Sequence, residues 1–240
     1  MKKIVAVFSL LLMLAAACSK STNNNINDGG GTTTLKENGY GLSEKPFAGA
    51  SWSLPAGVQL EDSIHEYSYC WAYPPYTQVE RKDWKGIPTG FTFCLTLLNT
   101  TTGVITVPFP PELVFVSSSV SHQNILTIDI GSIQLTPGLS TTIVVQGFCL
   151  NETRSVPQAY EEETQQKLSY SFGPSQVPAA LKEITDILHQ KHITMNDVLN
   201  PDGSWDVNRS AKYAAIQAAI WEVTNENGLT KNTMDLLKGL

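Results

Sequence analysis

Between Gly90 and Leu150 the residues alternate as a strand does and are broken only by turns, and this stretch limits the fold more than any other part of the chain. Phe91, Phe93, Leu95 and Leu97 alternate with Thr92, Cys94, Thr96 and Leu98. That period of two predicts a strand whose phenylalanine and leucine side chains face a core. Further short runs follow at Val104 to Val107, Leu113 to Val116, Ile125 to Ile130 and Thr141 to Leu150. They are separated by Asn99 to Gly103, Pro108 to Pro111 and Thr136-Pro137-Gly138. Successive strands with turn chemistry and no helical stretch between them predict antiparallel pairing. The expected fold is therefore mainly β with α: an immunoglobulin-like antiparallel sandwich over about 45–155, followed by a helical part, 156–240, packed on it.

After Pro178 the period becomes helical. Leu181, Ile184 and Leu188 mark one face of a helix over about 178–191, and Thr194 can cap a short turn carrying Met195, Val198 and Leu199. An alanine-rich helix is expected over about 208–225, and a last one from Thr230 to Leu237. Each is too short to stand alone, so packing on the β part is expected to hold them.

The N-terminus carries an address. Lys2 and Lys3 precede an apolar run of 14 residues, Ile4 to Ala17, which ends in small residues directly before Cys18. A bilayer-spanning helix needs about 20 residues, so a cleaved signal fits this run better than a retained membrane helix. The pattern resembles the lipobox of bacterial lipoproteins, in the looser form found in Bacteroides-type bacteria. It implies a signal peptide over 1–17, lipidation of Cys18, and a membrane tether placing the protein in the outer membrane, on its periplasmic or its surface face. Residues 18–44 are rich in Ser, Thr, Asn and Gly and read as a flexible linker, about 30 Å of reach for a Gly-rich coil. Loss of residues 1–17 removes two lysines, taking the formal charge from -6 to -8. So acidic a chain is not expected to bind nucleic acid.

Three cysteines remain in the mature chain: Cys70, Cys94 and Cys149. In an oxidising envelope two of them can pair, or none, with the rest buried as small hydrophobes. A Cys70 to Cys94 bridge would close a loop of 23 intervening residues and contribute about 3 kcal/mol. Gln217 is out of place. Tyr213, Ile220, Trp221 and Thr224 are its helical neighbours, so its amide points along an apolar stripe. Buried without partners it would cost about 1 to 3 kcal/mol. One solution is hydrogen bonding that clips the helix to the β part.

Another solution is covalent. Ile216-Gln217-Ala218-Ala219-Ile220-Trp221, with Phe148-Cys149-Leu150, resembles the two short motifs of Cys-Gln thioester domains in bacterial surface adhesins. The resemblance covers about ten residues, and Ile216 stands where that family usually has threonine. It implies a strand-borne Cys149 as the acyl-bearing thiol, a helix-borne Gln217 as the acyl donor, and capture of an amine on a target. Cys70 and Cys94 would then form an even pair.

Other chemistry is sparse. His189 and His192 read as solvated helix-end residues, and Glu161-Glu162-Glu163 as a solvated loop, so no metal site is expected. No nucleophile elbow, Walker loop, dinucleotide fingerprint or zinc-protease helix is present, and no cofactor is expected. The aromatics Trp52, Tyr67, Tyr69, Trp71, Tyr73, Tyr76 and Trp84 are read as core and interface filling, with a glycan or protein platform as the alternative. The leading expectation is a lipid-anchored binding or adhesion module without classical catalysis. A thioester adhesin and a structural subunit of an envelope assembly are the alternatives.

Overall fold

A computed structural model describes residues 37–72, 79–88, 90–160, 167–225 and 228–240. Cys18, the leader, Tyr73, Tyr76, Glu161, Glu162 and Glu163 lie outside the described residues, as does the side chain of Trp71. No described helix is long and apolar enough to cross a membrane.

The chain is a mixed β and α structure with antiparallel sheets. Its strands are β1 (Val58–Leu60), β2 (His65–Glu66), β3 (Phe91–Asn99), β4 (Ile105–Pro108), β5 (Glu112–Ser117), β6 (Ile125–Ile128), β7 (Ser132–Leu135), β8 (Ser140–Cys149) and β9 (Tyr170–Phe172). The helices are α1 (Tyr67–Ala72), α2 (Ala179–Lys191), α3 (Val207–Ala211), α4 (Ala214–Thr224) and α5 (Lys231–Lys238). Seven strands form one sheet in the order β1-β3-β8-β6-β5-β9, with β2 also on β3, while β4 and β7 make a separate ribbon. The large sheet curls into a half-barrel. The Tyr170 N–H donates to the Ile64 carbonyl at 2.7 Å, so the last strand meets the residue just before β2.

Two cores lie on the two faces of this sheet. On the concave face, Phe93, Leu95, Leu97, Phe115, Ile125, Val145 and Tyr170 pack with Val107, Ile133 and Leu135 of the ribbon. On the other face, Val114, Leu126, Phe148 and Leu150 pack against Leu181, Ile184 and Leu188 of α2 and Ile216, Ala219, Ile220 and Val223 of α4. With a core on each face, the central strands are buried on both sides. Strict alternation therefore gives way to continuous burial from Phe93 to Leu97 and in β6.

The helical expectations differ from the structure in two places: α1 lies where no helix is expected, and the stretch expected as one helix over 208–225 is two, α3 and α4. Asp206 caps α3, its side chain accepting from the N–H groups of Asn208 and Arg209. Strands β7 and β9 lie outside the runs expected as strands. Trp52 packs between Phe109 and Phe172, and Tyr67 meets Trp84 edge-on. Residues 39–43, within the span read as linker, pack on the end of β8. Tyr40 is buried, and the Asn151 side chain donates to the carbonyls of Gly39 and Gly41. Gly41 has φ 55, and a Cβ there would come within 1.9 Å of the Thr224 carbonyl oxygen, so only glycine fits.

Candidate functional site at the end of strand β8

Strand β8 outlasts its neighbour. Phe91, the first residue of β3, pairs with Gly147, and β8 continues through Phe148 to Cys149 with only β6 beside it. On the β6 side the ladder is complete, with Leu126 opposite Phe148, Ile125 opposite Cys149 and the Leu150 N–H donating to Asn124 at 2.9 Å. On the β3 side the N–H and C=O of Cys149 face a gap. Both groups are buried and need partners.

Gln217 supplies them. The Cys149 N–H donates to Gln217 Oε1 at 2.8 Å, and Gln217 Nε2 donates to the Cys149 carbonyl at 2.9 Å. One side-chain amide thus replaces the missing strand residue. Gln217 is 6% exposed and Cys149 fully buried, so both bonds form away from water. The reason is positional: α4 lies across the sheet face that carries Phe148 and Leu150, and Gln217 is the residue of α4 over the gap.

Trp221, one turn further on, passes the same gap. It belongs to the concave core, with Cys149 and Tyr170, although the apolar residues of its helix belong to the opposite core. The alternation of β8 sends Phe148 and Leu150 to the helices and the Cys149 side chain to the concave side. The residue bearing the thiol and the amide it would attack are therefore in direct contact. The thiol is two bonds from the Cα that separates the two hydrogen-bonded groups of Cys149.

Cys70 of α1 and Cys94 of β3 are joined as a disulfide, Cα to Cα 6.3 Å, and Cys149 lies outside that bridge. Cys94 points away from the concave core, opposite His65 of β2.

A second polar junction was not legible in the sequence. Glu112 of β5, 5% exposed, accepts at Oε1 from Lys182 Nζ (2.9 Å), Thr185 Oγ1 (2.7 Å) and His189 Nε2 (2.9 Å), all on α2. The other nitrogen of His189, Nδ1, meets Asp129 Oδ1 at 2.7 Å. His189 is thus not the solvated helix-end residue expected. Two carboxylates far away in sequence hold it, and the spacing of histidines on α2 could not reveal them. With an acceptor at each nitrogen, the ring is arranged as an imidazolium. Burial is the largest influence on His189 and works against its charge, but the hydrogen bonds and charges of Glu112 and Asp129 outweigh it and raise its proton affinity. Burial likewise pushes Glu112 up, and the hydrogen bonds of Lys182, Thr185 and His189 together hold it below the usual carboxylate range. Donor atoms of Glu112, Asp186 and His189 lie within 4.8 Å of one another, a spacing a metal ion can use. Lys182 already bridges Glu112 and Asp186, at 2.9 and 2.6 Å, so the group is an internally neutralised ion-pair network.

No protein-family model, no curated protein and no solved structure matches the chain. The functional reading rests on the residues themselves.

Proposed function

We propose that the chain is a lipid-anchored adhesion module of the bacterial cell envelope, tethered to the outer membrane through Cys18, that captures an amine through an internal thioester between Cys149 and Gln217. The observation that carries this reading is the reciprocal pair of hydrogen bonds between the Gln217 amide and the backbone of Cys149. Two motifs 68 residues apart meet there, in a buried setting that keeps water from an acyl thioester. The chemistry needs no oxidant. Cys149 Sγ bonds to Gln217 Cδ, the Cδ–Nε2 bond breaks, and the thiol proton leaves with the nitrogen as ammonia. A target amine then attacks Cδ, the sulfur leaves as a thiol, and the target is held by an amide. Each molecule reacts once, so this is capture rather than turnover catalysis. Within this proposal the strands from β3 to β8 serve as an immunoglobulin-like presenting module, and the partner is a protein or glycan bearing a primary amine.

Peptide mapping of the purified, unreduced protein after methylamine treatment tests the reading. The expected result is an N-methylamide at Gln217 in the native chain and none in Cys149→Ala. An untreated mass retaining the ammonia, with Gln217 unmodified after methylamine, would sink it. A second reading rests on the same two bonds: Gln217 is a clasp that completes the β8 ladder, and adhesion is non-covalent. That reading predicts an unchanged mass together with a large loss of stability in Gln217→Ala.

A further inference from the structure

At the second junction, three side chains of metal-binding type meet from two elements. Asp186 and His189 stand one turn apart on α2, in the same stripe as Lys182 and Thr185. Glu112 faces that stripe from the first position of β5 and is buried. Their donor atoms all lie within 4.8 Å of one another. Two further observations point to a cation. One cationic group already sits among them: the Lys182 ammonium lies 2.9 Å from Glu112 Oε1 and 2.6 Å from Asp186 Oδ1. The histidine is also held as a ligand is held. Asp129 meets its Nδ1 at 2.7 Å, while Nε2 is directed at Glu112, 2.9 Å away. A metal-binding histidine almost always donates its other ring nitrogen to a carboxylate or carbonyl, which fixes the tautomer and the ring. Asp129 is itself anchored. It follows Ile128, the pairing partner of Glu112, and its N–H donates to the Pro111 carbonyl at 2.8 Å.

We infer that Glu112, Asp186 and His189 bind a zinc ion, which takes the place of the Lys182 ammonium and ties α2 to β5. This inference is independent of the thioester. Two carboxylates and one imidazole suit zinc, with water as the fourth ligand, whereas magnesium and calcium take oxygen ligands. Asp186 is exposed, so solvent reaches that fourth position. Ligand atoms about 2.0 to 2.2 Å from tetrahedral zinc stand about 3.5 Å from one another, so side-chain movements of about 1 Å complete the shell. The charges balance as well. One divalent ion replaces two positive charges, the Lys182 ammonium and the proton on His189 Nε2. Lys182, whose side chain is 46% exposed, swings to water on its flexible stem and keeps its proton. His189 Nε2 releases its proton to solvent and gives the lone pair to zinc, while Nδ1–H stays on Asp129. Thr185 Oγ1 goes on donating to Glu112 and steadies the carboxylate.

Zinc titration of the native chain, first stripped with a chelator, tests the site at about pH 7.5 by calorimetry and by melting. The expected result is one equivalent bound per chain. Zinc at about 100 times the dissociation constant should raise the melting midpoint by about 5 °C, and magnesium should not. Asp186→Asn and His189→Gln should each weaken zinc about tenfold or more. Lys182→Met removes the competing ammonium and keeps the stem, so it should bind zinc at least as tightly as the native chain. Asp186 and Lys182 are both exposed, so their variants keep the fold and carry the test even where His189→Gln does not. A native chain that takes up no zinc overturns the inference. Uptake by Lys182→Met alone overturns it too, because the ammonium then keeps the place. Equal affinity in the native chain and Asp186→Asn would put the zinc elsewhere and sink the site.

Discussion

The C-terminal helices are pinned to the sheet at two junctions that solve the same problem with opposite physics. At the end of β8, one neutral amide on α4 meets one neutral backbone unit, in reciprocal bonds of 2.8 and 2.9 Å. At Glu112, three charged or polar side chains of α2 converge on a single carboxylate oxygen, and Asp129 holds the far side of the ring. The neutral junction contains no group that titrates in forming its bonds, so it should hold equally across pH. The charged junction depends on both a protonated histidine and an ionised glutamate. An amide clasp suits a place where water must stay out, because it buries no charge; an ion network suits a half-exposed helix end where solvent can offset part of the desolvation.

The largest expected effect separates the two roles of Gln217. Gln217→Ala strands the buried N–H and C=O of Cys149, while Cys149→Ala, which cannot close the thioester, keeps both backbone bonds to the Gln217 amide, so Gln217→Ala should be the less stable of the two by about 3 kcal/mol. Urea unfolding of the pair measures this. Equal losses would show that the clasp contributes no more than the sulfur does. Next in size is the covalent tie on the far side of β3. Cys94→Ser, which opens the Cys70 bridge, should lose about 3 kcal/mol and leave methylamine capture at Gln217 intact. Loss of capture along with stability would mean that the two sites are coupled through β3.

The smallest effect is a pH dependence that belongs to the charged junction alone. His189 has its folded proton affinity raised above the ordinary value of 6.5, so its contribution is whole below that value and fades as pH climbs through the higher folded one. Glu112 is lowered from 4.5, so its contribution is whole above 4.5 and fades as pH falls through the lower folded value. Both are complete between 4.5 and 6.5. His189→Gln should flatten the alkaline limb of the melting temperature against pH and leave the acid limb largely in place. A native alkaline limb that survives in this variant would place its origin elsewhere.

Much of this architecture could be read in advance, for reasons particular residues make plain. The Phe91 to Leu97 alternation marks β3 because one strand face must be apolar. Leu181, Ile184 and Leu188 mark α2 in the same way, and Thr230 marks the start of α5 because its side chain accepts from the Thr233 N–H. Gln217 stood out because an amide on an apolar stripe needs a partner. What could not be read was where long-range partners lie. Nothing local indicates that Glu112 and Asp129, 77 and 60 residues before His189, would meet its ring.

The sequence by itself determined the strands β3, β5, β6 and β8 and the helices α2 and α5, that the helices must pack, and that Gln217 and Cys149 carry the residue types of a clasp or an acyl transfer. Those properties follow from periodicity, capping and side-chain chemistry, which act over a few residues. The tertiary structure alone decided that one sheet curls and buries both faces, that β8 runs past the start of β3, and that α4 crosses the resulting gap. Register and helix placement are set by contacts between segments tens of residues apart, and the energy of those contacts exists only once the chain has closed around its two cores.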